Sequence, residues 1–164
     1  MEFFDFFLFS SILSCSLVTG FIFTYAIVVM PGLSKLNDKE FLKAFQVTDS
    51  VIQNKQPLFM LTWIGSIVSV LGLILTSIIY KGLSETWLIV LVTMIYLLGV
   101  QGVTIFIHLP LNNRIQKLDL EKLKDENLRK ERLNFENKWN FFNNIRTTIA
   151  FFVSLTLLIF LTIT

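Results

Sequence analysis

The chain has 164 residues, of which 54% are hydrophobic and only 16% charged, and its mean hydropathy is +0.67. Soluble domains run at about 45–50% apolar and about 25% charged, so an ordinary soluble domain is excluded. The net charge of +2 calls for no nucleic-acid partner, and a single cysteine leaves no internal disulfide to form.

Four uncharged runs, 6–34, 57–80, 86–109 and 147–164, account for the apolar excess. A helix needs about 20 residues to cross the hydrocarbon core. The runs therefore predict an all-α, integral membrane four-helix bundle, read as one domain over 1–164 with spans at about 6–30, 58–80, 86–109 and 145–164. The first run follows Glu2 and Asp5, with no Lys or Arg before Lys35. It lacks the basic leader of a signal peptide and reads as a retained span. Cys15 within it reads as a small buried hydrophobe.

The first polar loop predicts an amphipathic helix. Asn37 and Glu40 have capping-box spacing, and Phe41, Phe45 and Ile52, with Leu42 and Val51 beside them, form an apolar stripe. Gln46, Asp49 and Gln53 share a second stripe. Pro57 opens the second span, and Pro31-Gly32 is expected to close the first. The second polar loop reads as one long charged helix from about 111 to 137 running into the fourth span, with Leu118, Leu123, Leu128 and Leu133 on one face. Its charges read as a solvated surface with i,i+3 and i,i+4 pairs such as Glu121–Lys124 and Asp125–Arg129. Small-residue rows (Ser16, Gly20, Thr24; Gly65, Ser69, Gly72; Gly99, Gly102) predict close helix packing and would permit a homo-oligomer.

Sidedness follows from the basic residues. The loops 31–56 and 110–146 hold 4 and 9 Lys+Arg, against one everywhere else. The positive-inside bias puts both long loops in the cytoplasm and both termini outside.

Polar groups gather near the loop-side membrane surface. Gln101, Thr104 and His108 share a face at i, i+3 and i+7, and Asn112 follows Pro110. Trp139, Asn143, Asn144 and Arg146 enter the fourth span, and Gln46 and Gln53 come from the first loop. Ionisable groups at a span are costly and point to function by default. His108, the only histidine, can be an interfacial hydrogen bonder, a general acid/base or ligand contact, or a metal or haem ligand. Arg146 can anchor topology or hold a phenolate, carboxylate or headgroup. The asparagines can satisfy helix ends or a ligand, and Trp139 can be an interfacial anchor or a stacking platform. There is no metal-ligand cluster, no glycine-rich phosphate loop and no acidic residue inside a span.

Several pieces in order carry a resemblance. They are Met30-Pro31-Gly32-Leu33 after the first span, then Phe45-Gln46 and Gln53-Asn54 ahead of Pro57. Pro110-Leu111-Asn112 follows the third span, and Trp139, Asn143 and Arg146-Thr147 enter the fourth. Together they resemble the anthrone oxygenase-like family of small four-span membrane proteins. The resemblance implies oxidation of an anthrone to an anthraquinone by O2 with no cofactor expected. The site would then need a base, an oxyanion donor and a dry slot for a flat ring system. On that pattern Asn112, Asn143 and Arg146 would hold the oxyanion, and Gln46 and Gln53 would stand at the rim. Family members often have Asn-Val-Pro-Leu-Asn where this chain has His108-Leu109-Pro110-Leu111-Asn112, and Asn-His where it has Asn143-Asn144. His108 as base is therefore chemical inference and not a carried-over role.

The expected function is a membrane oxidoreductase acting on a lipophilic aromatic, anthrone- or quinol-like compound. Gln101, Thr104 and Trp139 would join its binding set. The rival reading is a non-enzymatic binding or accessory protein holding a lipid, a haem (through His108) or a partner subunit. A small transporter fits less well, since no repeat symmetry is visible.

Overall fold

The computed structural model describes residues 2–163, which form helices joined by short turns, with four helices long and apolar enough to cross a membrane. In chain order the helices are α1 (Phe3–Leu33), α2 (Asp38–Gln53), α3 (Pro57–Lys81), α4 (Leu83–Gln116) and α5 (Asp125–Ile163). All but α2 are the candidate spans. Large apolar side chains such as Leu61, Leu98 and Phe106 are exposed on their outer faces, at 70%, 69% and 79%. Such a surface suits lipid, and water would not tolerate it. The protein is an integral membrane protein.

Local chemistry explains the ends of these helices. Asn37 caps α2 by accepting from the Glu40 backbone N–H at 2.9 Å. Gln56 caps α3 in the same way through Phe59, with Pro57 in the first turn where its missing N–H costs nothing. A single residue, Gly82, joins α3 to α4 at φ +84, a turn that favours glycine. Lys55 takes the left-handed conformation at φ 58, one residue past the α2 cap.

Pro31 and Pro110 do not end their helices. Each lies just beyond a π-helical stretch, Tyr25–Val29 and Thr104–His108. A proline cannot donate to the carbonyl four residues back and its ring crowds that carbonyl. A widened turn directly ahead relieves both problems. Thus α1 runs on to Leu33, and α4 carries Asn112 outward as helix to Gln116.

The second loop corrects the expectation of one long charged helix. Here α4 stops at Gln116, residues 117–124 make a turn, and α5 starts at Asp125. A helix that leaves the membrane and must re-enter on the same side has to reverse. Asp119 helps, accepting from the Glu121 N–H through its side chain. Local pairs form at Arg132–Glu136 and Asp119–Lys122, and other bridges tie elements together. Arg114 pairs with Glu131 at 2.8 Å and Lys39 with Glu121 at 2.7 Å. Arg132 reaches furthest. It donates to the Ser34 and Leu36 carbonyls and to the carboxylates of Asp38 and Glu136, with its guanidinium 4.6 Å from the Phe41 ring.

Two hydrophobic cores result. One fills the bundle with Leu8, Cys15, Leu73, Tyr96, Ala150 and Leu157. The other caps the loop end, where α2 brings Phe41, Leu42 and Phe45 against Met30, Ile115, Leu128, Phe135 and Trp139. The helix α5, roughly 58 Å long at 1.5 Å per residue, belongs to both. Of the small-residue rows, Gly72 lies directly under the Phe7 ring and Gly99 under Ile149, while Gly20 and Gly65 face open space. The Ser16, Gly20 and Thr24 row looks outward and packs no helix of its own chain.

Candidate functional site

Between the two cores lies a cavity of about 510 Å³. That is within the range of about 300–1,000 Å³ usual for small-molecule sites. Its apolar walls come from α1 and α3, with Val18, Phe21, Ile22, Phe59 and Trp63 among them. Its polar side is built by α2, α4 and α5 through Asp49, Gln53, Thr104, His108, Asn112, Trp139 and Arg146.

The buried carboxylate and the buried guanidinium of this site are held apart. Arg146, 6% exposed, donates from Nε and Nη2 to Asn143 Oδ1 at 3.0 and 2.9 Å and from Nη1 to Thr104 Oγ1 at 2.9 Å. Asn143 is itself fixed by donating to the Ile22 carbonyl at 3.2 Å. Three of the five guanidinium N–H groups are thereby used. No carboxylate lies within ion-pair distance of Arg146 among the described residues. Asp49, 2% exposed, accepts from Asn112 at 2.8 Å, Gln116 at 2.9 Å and Gln53 at 3.2 Å.

The carboxylate reaches the guanidinium only through neutral groups. Asn112 Oδ1 accepts from Trp139 Nε1 at 3.0 Å, and the Trp139 ring lies 5.6 Å from the Arg146 guanidinium carbon. A buried guanidinium with no counter-ion is costly unless something else completes it.

His108 sits edge-on to Trp139, with ring centroids 4.9 Å apart, and is 2% exposed. The Phe142 carbonyl lies near its ring, yet neither ring nitrogen makes a hydrogen bond of normal geometry. Trp63 Nε1 on the facing wall is likewise buried and without a partner. Buried polar atoms are nearly always paired, so these three nitrogens, on side chains that line the cavity, are departures that packing alone does not explain.

Of the residues singled out by sequence, the structure brings His108, Arg146, Thr104, Asn112, Trp139 and Gln53 together on the cavity wall. Four others lie elsewhere. Asn143 stands behind Arg146 and holds it. Gln46 donates to the Ile115 and Leu118 carbonyls at 2.9 and 3.0 Å, fastening α2 to the end of α4. Asn144 is exposed on the far side of α5. Gln101 belongs to a separate buried knot, donating to Tyr96 Oη at 2.9 Å and Ser66 Oγ at 3.1 Å. The reason is the helix type. The π-helical stretches Leu97–Gly102 and Thr104–His108 add residues to the turn, so Gln101 and His108 no longer share the face an α-helix would give them.

Asp49, Tyr25 and Trp63 are the site residues that sequence reasoning did not advance. Asp49 had a signal, since it shares the Gln46/Gln53 stripe, whereas Trp63 lies in an apolar run with nothing to distinguish it.

The family described as anthrone oxygenase matches residues 56–156, more than half of the chain. The matched stretch covers α3, α4 and most of α5, with Pro110-Leu111-Asn112, Trp139, Asn143 and Arg146, and leaves out α1 and α2. No curated protein and no solved structure matches the chain.

Proposed function

Because the chain belongs to the anthrone oxygenase family, we propose that the cavity oxidises a flat, lipophilic anthrone- or quinol-like compound with O2. The observation that carries this reading is a histidine without a hydrogen bond of normal geometry and a guanidinium without a counter-ion, both among the residues that line one largely apolar cavity. A neutral imidazole has one nitrogen able to accept a proton, and His108 takes it from the acidic ring methylene. The negative charge passes to the ring oxygen, where the N–H groups of Arg146 not spent on Asn143 and Thr104 receive it. The electron-rich anion gives one electron to O2, and the radical and superoxide combine as a peroxide anion, which takes the proton from His108 to become the hydroperoxide. Loss of water from the hydroperoxide leaves a carbonyl. The balance is CH2 plus O2 to C=O plus H2O, with the proton taken from His108 leaving in the water.

Tyr25 and Trp139 supply faces for the ring system, and the apolar walls keep water from quenching the carbanion. The reaction so written runs without a resident cofactor. The basic residues of both long loops favour a site near the cytoplasmic surface.

The test is oxygen uptake by the purified chain in lipid nanodiscs with 1,8-dihydroxyanthrone, corrected for protein-free autoxidation. Arg146→Ala is expected to lose at least about 100-fold in turnover, the lower end of what a positioned oxyanion donor contributes. Full turnover in that variant sinks the assignment. A Soret band in the purified protein that vanishes in His108→Ala would replace this reading with a haem one. Tight binding of the anthrone with no oxygen uptake would favour a binding or accessory role.

A further inference from the structure

The cavity is not closed toward the bilayer. Leu17 and Phe21 of α1 and Leu58 of α3 line it, yet they are 53%, 40% and 69% exposed on the outer surface of the bundle. A side chain that lines a cavity and is also open to the outside frames an opening. These three are apolar and lie on spans, so the opening faces lipid. Lys55 and Gln53 mark its edge at the loop end.

The packing of α1 on α3 agrees. Toward the chain termini the two helices touch closely, with Gly72 under the Phe7 ring. At the loop end they meet through an aromatic pair, Phe21 and Phe59, with ring centroids 5.2 Å apart. Behind that pair the rings continue inward. Phe21 stands 5.2 Å from Tyr25, Tyr25 5.6 Å from Trp139, and Trp139 4.9 Å from His108. An unbroken series of aromatic faces thus runs from the lipid-facing gap to the buried imidazole.

We infer that the ligand enters sideways from the bilayer, through the gap between α1 and α3 framed by Leu17, Phe21, Leu58 and Phe59. It moves along the aromatic series with its acidic oxygen leading toward Arg146. The ligand class is therefore one that partitions into lipid and carries one oxygen that can bear charge, a flat aromatic ring system being the case the proposed function supplies. A water-soluble anion would meet Lys55 only at the loop-side edge and three exposed apolar side chains across the opening itself, which replace none of its hydration. The flat aromatic character rests on the function proposed above; the route does not.

The route is tested without any assumption about the reaction. In full-length protein carrying Cys15→Ala, Val18→Cys places a lone thiol on the cavity wall, where Val18 is 8% exposed. In nanodiscs, bilayer-dissolved N-(1-pyrenyl)maleimide is expected to label that thiol, and a membrane-impermeant disulfonated maleimide is not. Adding Leu17→Trp to narrow the gap should slow pyrene labelling at least ten-fold. Leu13→Trp, one turn away and outside the cavity lining, should leave it unchanged, with thermal stability confirming that each variant folds. Labelling by the impermeant reagent at an equal or faster rate overturns the proposal, as does no labelling by the pyrene reagent or an unaltered rate in Leu17→Trp. If labelling follows the gap but 1,8-dihydroxyanthrone drives no oxygen uptake, the functional reading fails and the lateral route stands.

Discussion

Two buried polar clusters sit within this bundle, and they are built on opposite plans. In the first, Tyr96 donates to Ser66 at 3.0 Å, Gln101 donates to both, and Ser66 donates back to the Trp63 carbonyl at 2.7 Å. It closes on itself, carries no charge, and leaves only Gln101 Oε1 unpaired. In the second, a carboxylate and a guanidinium are kept apart by an asparagine and an indole, and an imidazole is left with both nitrogens unpaired. A closed neutral knot fixes helices against one another where lipid offers no hydrophobic drive. An open charged cluster beside a cavity gains little for the fold and is suited to acting on something that arrives.

That contrast can be broken most sharply at His108. Since neither ring nitrogen makes a hydrogen bond of normal geometry, His108→Phe loses no more than a weak approach to the Phe142 carbonyl and relieves poorly paired buried atoms. Turnover of 1,8-dihydroxyanthrone is expected to fall by about 100-fold or more, the scale of a lost general base, while the melting temperature holds or rises. A fall in both would make His108 part of the scaffold.

The converse is Ser66→Ala, which takes the acceptor from Tyr96 and one from Gln101. It should cost about 1–3 kcal/mol of stability, read as a lower melting temperature, with turnover within about two-fold of the parent. A large loss of turnover at full stability would mean that the knot takes part in the site. The smallest effect belongs to Asn144→Ala on the exposed side of α5. Its stability should change by less than about 0.5 kcal/mol with turnover unaltered, and a clear loss of activity would show that the site reaches across the helix.

Much of this architecture is legible in the sequence because the bilayer imposes a simple demand: long uncharged runs must be helices. The Asn37 cap and the Phe41/Phe45 stripe could be read for equally local reasons. What could not be read depends on packing or on departures from ideal geometry. The π-helical stretches ahead of Pro31 and Pro110 move side chains off the faces that α-helical counting assigns, and this separates Gln101 from His108. The reversal at 117–124 is a topological necessity that charge pairing conceals. Asp49 shares a stripe with Gln46 and Gln53 in the sequence, but only the folding of α2 against α4 and α5 buries it. Trp139 has the signature of an interfacial anchor, but α2 covers it, and its indole N–H is spent on Asn112. Arg146 and Asn143, three apart on one helix, were the easiest part of the site to find.

The bond from Asn143 to the Ile22 carbonyl joins positions 121 residues apart, which bears on how the protein is made. At about 5–20 residues per second of synthesis, the first span waits roughly 6–24 s for the last one to emerge. Until then Arg146 does not exist, Trp139 is not there to cover the open side of α2, and the half-made chain has no cavity to fill. Assembly of the site thus waits for the synthesis of α5. A chain cut short between α4 and α5 is left as three apolar spans, with the Asp49 carboxylate no longer covered by α5.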